Sequence, residues 1–183
     1  MSDRYAAAPP AGQPRAEVTL LALHTAISIG AQVGRLAARH WGLPDLEGTA
    51  EQVGAHLIAR AVETTGNPDP NIRYTDLDPA RLHVVGIRVH RRANALIIDV
   101  WDTDPTPPLP APSDYLDHHL AAVHVLARLW RWYPAPRGGK VIWAEVAPPD
   151  HHHPGQEPHR PTGSLPISEP CQEETKTCAC HAA

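Results

Sequence analysis

The chain has 183 residues, 42% of them hydrophobic and 20% charged, a balance that suits one globular domain with tails. Its formal net charge of −4 supplies no field that would draw it to nucleic acid or to an anionic membrane. No apolar run approaches the roughly 20 residues that span a bilayer, and the N-terminal stretch has no signal-peptide core, so a cytoplasmic protein is expected.

All three cysteines lie in the last thirteen residues, so no disulfide framework is expected in the core. Residues 1–16 are rich in Ala and Pro and are read as disordered. A short strand is predicted at Ala16–Leu23. Thr25–Trp41 follows, with Ile29, Val33, Leu36 and His40 at helical spacing. Gly42-Leu43-Pro44 stops that helix. Leu46–Thr65 is a second helix, with Val53, Leu57, Ile58, Ala61 and Val62 as its apolar stripe. His56, Arg60 and Glu63 fall together on another face.

A loop is predicted from Gly66 to about Ala80. Leu82–Arg91 then alternates as a strand, and Arg92-Ala93-Asn94 turns it into a second strand at Leu96–Trp101. Asp102 follows that strand. Prolines at 105, 107 and 108 forbid continuation of the ladder, so the chain leaves as a loop. An acid at such a rim can accept hydrogen bonds from a ligand without deep burial. Leu116, Leu120, Val123, Ala127 and Trp130 mark a third helix. Gly138-Gly139 leads into a last strand at Lys140–Val146. Residues 148–183, rich in Pro, His, Glu and Ser, are read as a disordered tail. This order predicts an α+β two-layer sandwich over 17–147, with about three helices on a mixed, mostly antiparallel sheet.

With these elements placed, residues 17–147 resemble the histidine-kinase-like ATPase superfamily, the GHKL or Bergerat fold. The closest branch is the anti-sigma-factor serine kinases and related ATP-binding regulatory proteins. Three segments carry the resemblance: Leu57–Gly66, Ile98–Pro108 with its Asp-Pro-Thr-Pro-Pro loop, and Gly138–Val146. The resemblance implies a Bergerat-like sandwich, ATP as ligand, a sigma factor or an anti-sigma antagonist as partner, and homodimers as a further option. It also implies that Asp102 reads the adenine amino group, with Asp104, Gly138 and Gly139 beside the nucleotide.

In that family the second helix carries a glutamate, which activates the attacking group, and four residues later an asparagine, which ligates magnesium. Here the matching positions hold His56 and Arg60. Histidine can serve as a base near its ordinary pKa of about 6.5. Arginine is a fixed cation and cannot ligate a metal, so magnesium binding is in doubt. The segment Ser113–His119, where the family's glycine-containing turn would meet phosphates, has no glycine and carries Asp114 and Asp117. Weakened or lost catalysis is therefore expected, with action through partner binding in transcriptional regulation. The alternatives are a non-nucleotide-binding module on the same fold and a tail-dependent metal or redox sensor.

Each residue also has a plainer reading. Asp102 would cap a turn. Arg60, which could meet phosphate oxygens directly, would otherwise pair with Glu63, with Glu51 or with Asp102, or stay solvated. His56 would line a pocket or the surface. His118 and His119 are adjacent and do not share a helical face, so they are not expected to form a metal site alone. His151–His153, His159, Cys171, Cys178, Cys180 and His181 offer metal ligands without the usual Cys-x-x-Cys spacing.

Overall fold

The computed structural model describes residues 15–108 and 117–148. By contacts the chain divides into Met1–Pro149 and Asp150–Ala183, and every described residue falls in the first unit. Most of the predicted N-terminal disorder, the tail with its cysteines, and residues 109–116 lie outside the described residues. Arg15, assigned to the disordered N-terminus by composition, opens the first strand, and Ala16 lies in the strand as predicted.

That strand, β1 (Arg15–Leu21), alternates exposed and half-buried residues, as a sheet edge should. Helices α1 (Thr25–His40) and α2 (Glu47–Thr65) follow. Strands β2 (Val84–Arg92) and β3 (Ala95–Asp102) come next. Helix α3 (His118–Leu126), β4 (Leu129–Pro134) and β5 (Lys140–Val146) complete the described chain. The strands form one sheet in the order β1-β2-β3-β5-β4. The core gathers Val53, Leu57, Ile58 and Val62 of α2, Leu120 and Val123 of α3, and alternate residues of the strands. The architecture is an α+β two-layer sandwich.

The sheet expected to be mixed is antiparallel at every pairing among the described strands. The reason is the α1–α2 hairpin, which returns the chain beside the end of β1. There Leu21 faces Val84, so β2 must run back along β1. The two helices meet backbone to backbone. A Cβ on Gly30 would lie 2.5 Å from Ile58 Cγ1, and one on Gly54 would lie 2.6 Å from the Gly30 carbonyl oxygen. The predicted turn after β2 is the pair Ala93-Asn94, with Arg92 opposite Ala95.

Two further expectations are corrected. The third helix ends at Leu126, and Trp130 lies in a strand, β4. The helical spacing that reached Trp130 coincided with the alternation of Trp130 and Trp132, which the sheet uses. Aromatic residues favour such a pleated, half-buried surface. Asp102 does not follow the strand; it is the last residue of β3. Among the described residues no helix is long and apolar enough to cross a membrane.

Candidate functional site

Antiparallel register places Asp102 of β3 opposite Lys140 of β5. Asp102 is 1% exposed and Lys140 is fully buried, so Asp102 stands at the end of its strand but is deeply buried, against the shallow burial expected for it. Its neighbour strand extends far enough to cover it. An ammonium has three donors, and Lys140 Nζ uses all three. It donates to Asp102 Oδ1 at 2.9 Å, to the Asp104 carbonyl oxygen at 2.9 Å and to Asp104 Oδ2 at 2.8 Å. Asp102 Oδ1 also accepts from the Asp104 backbone N–H at 2.9 Å. Asp102 thus caps the turn that leaves β3 and neutralises a buried cation.

The two carboxyls of this group respond in opposite directions. Burial raises the Asp102 pKa, against the hydrogen bond and charge of Lys140. Burial also opposes the ionised form of Asp104, but Lys140 and Thr106 outweigh it and hold the pKa at about 2. A carboxyl whose folded pKa lies below its unfolded value of about 3.9 stabilises the fold above that value. The contribution disappears as pH falls from about 4 to about 2. Asp104→Asn should therefore cost about 2 kcal/mol at pH 7, and the gap to wild type should close near pH 2. Urea unfolding at both pH values measures it. An equal gap at both would remove the charge of Asp104 from the account.

Arg60, although grouped by spacing with His56 and Glu63 away from the apolar stripe of α2, is only 9% exposed. Its Nε donates to Asp117 Oδ2 at 2.6 Å, a partner not among those weighed from sequence. Asp117 is also the N-cap of α3, accepting from the Leu120 N–H at 2.8 Å, as capping aspartates do. Arg60 Nη1 is buried and finds no hydrogen-bond partner among the described residues. The charge of Arg60 adds a push toward the ionised form of Asp102 that is smaller than that of Lys140.

His56 also faces α3. Its Nδ1 lies 3.1 Å from His119 Nδ1, and His119 Nε2 lies 3.1 Å from Glu63 Oε1. Burial lowers the His56 pKa, and His119 and His118 add to that. The face of α2 that carries His56, Arg60 and Glu63 is the seat of the first turn of α3.

Gly138 and Gly139 belong to the β4–β5 turn. Gly138 donates to the Ala135 carbonyl and Ala135 to the Gly139 carbonyl, both at 3.0 Å. Both glycines have positive φ, 93° and 80°. A Cβ on Gly139 would collide with the Asp102 carbonyl oxygen. Their visible duty is to let this turn press against the end of β3.

The opposite face of the sheet holds a polar group that sequence reasoning missed. Arg88 Nε donates to Asp99 Oδ2 at 2.7 Å, and His90 Nδ1 lies 3.5 Å from the same oxygen. Beside them is a cavity of about 560 Å³ lined by Glu17, Arg88, Asp99, Trp101, Tyr133 and Arg137 among others. The signal was present as Arg88 and His90 alternating along β2, but the facing acid depends on strand register.

No protein-family model matches the chain, and no curated protein matches it.

Proposed function

We propose that this protein is a cytoplasmic regulator built on an ATPase-like sandwich, with phosphoryl-transfer chemistry lost. It acts by binding a protein partner, a sigma factor or an anti-sigma antagonist, in transcriptional control. The observation that supports the loss is the internal commitment of both key side chains. Asp102 Oδ1 serves Lys140 and a backbone N–H, and Arg60 stands where a magnesium ligand is required and pairs with Asp117. Phosphoryl transfer depends on a placed metal charge and a positioned base, and positions 56 and 60 hold a histidine and an arginine where the resembled family has a glutamate and an asparagine.

The buried Nη1 of Arg60 favours residual, metal-independent ATP binding over none. A guanidinium can meet phosphate oxygens directly. Calorimetry with ATP should then give weak binding that magnesium leaves unchanged, together with no ATP turnover. Micromolar affinity that requires magnesium would overturn the reading.

A further inference from the structure

The junction between α2 and α3 gathers four side chains that the nucleotide reading leaves without a task. His118 and His119 open α3, and their ring centroids lie 3.9 Å apart. Glu63, one turn beyond Arg60 on α2, reaches His119 from the other side. One ligand atom from each of Glu63, His118 and His119 lies within 4.8 Å of the other two. Adjacent positions on a regular helix diverge, but a carboxylate from a second helix supplies the point on which these imidazoles converge.

We propose that Glu63, His118 and His119 bind a divalent transition-metal ion, zinc by preference, with His56 as a positioning residue. The site is independent of the nucleotide reading. Two imidazoles and one carboxylate suit zinc and its neighbours, whereas magnesium and calcium take oxygen ligands. Glu63 and His118 are exposed, so rotation of these two side chains closes the site around an ion and leaves a fourth position to water. The guanidinium of Arg60, one turn away on α2, is paired with Asp117.

The contact between His56 and His119 fits the same role. Two imidazole nitrogens 3.1 Å apart share one proton. When His119 Nε2 ligates a metal, its proton resides on Nδ1 and is donated to His56 Nδ1. Metal-bound histidines commonly donate their second ring N–H in this way, which fixes ring orientation. The ion would tie the first turn of α3 to α2.

The tail cysteines and histidines are competing ligands, so the test uses the full chain with Co²⁺ as a spectroscopic probe. Sulfur ligation announces itself by a thiolate charge-transfer band, and the proposed site has none. Wild type should show a visible cobalt spectrum of nitrogen and oxygen ligation, displaced by Zn²⁺. His118→Ala, at an exposed position, should remove that component and leave the melting temperature without metal unchanged. Glu63→Gln should do the same. His56→Ala should keep the spectral shape and weaken binding about 10- to 100-fold. Zinc should raise the melting temperature of wild type and not of His118→Ala. A cobalt spectrum that is purely thiolate in type, or one unchanged in His118→Ala and Glu63→Gln, would overturn the proposal.

Discussion

Lys140→Met should destabilise the protein by about 3–5 kcal/mol, the cost of breaking a buried ion pair by removing one partner. The side chain is fully buried, and its three donors have three acceptors. Methionine matches its length and loses the charge. Asp102, itself 1% exposed, would be left with a carboxyl that burial already disfavours in its ionised form. Urea unfolding at pH 7 measures the loss. The double variant Lys140→Met/Asp102→Asn should recover part of it, because the uncompensated charge is removed together with its partner. A loss below about 1 kcal/mol, within the range of a surface pair, would mean that the group does not hold β3 to β5.

Gly139→Ala should cost about 3 kcal/mol, from two sources that a control separates. The φ of 80° is unfavourable for any L side chain by about 1–2 kcal/mol. The new Cβ also meets the Asp102 carbonyl oxygen and the Thr103 Cα, which are backbone atoms of the adjoining turn. Overpacking of that kind costs about 1–3 kcal/mol more. Gly138 has a φ of 93° and open space where its Cβ would be. Gly138→Ala should therefore show only the conformational cost. Equal losses in thermal or urea melts of the two variants would remove the collision from the explanation.

The elements with a clear period were legible. The α2 stripe of Val53, Leu57, Ile58, Ala61 and Val62 is buried as expected, and β5 spans the predicted Lys140–Val146. β4 was not legible, because Trp130 satisfies a helical and a strand spacing at once. Only the sheet decides, through Trp130 opposite Ala144 and Trp132 opposite Ile142. The candidate site was half legible. Arg60 and Glu63 could be placed on one face of α2, but not matched with Asp117 and His119, which lie more than fifty residues further on. Lys140 lies in the Gly138–Val146 segment, where the local pattern assigns it no role. The chain has two lysines against fourteen arginines, and that scarcity is the one sequence signal for it. A compact ammonium fills a three-acceptor hole that a planar guanidinium does not.

The order of the strands has a bearing on self-association. The segment richest in branched aliphatic residues, Leu96-Ile97-Ile98-Asp99-Val100, is sealed between β2 and β5. Exposed sheet borders are templates for pairing with other chains. Here the outer strands are the poorer templates: β1 presents Arg15, Glu17 and Thr19 to solvent, and β4 carries Arg131 and ends in Pro134. The folded protein therefore resists fibre-like growth from its borders. Opening the middle of the sheet releases a sequence of the kind that stacks into cross-β assemblies, with Asp99 as its single charged interruption.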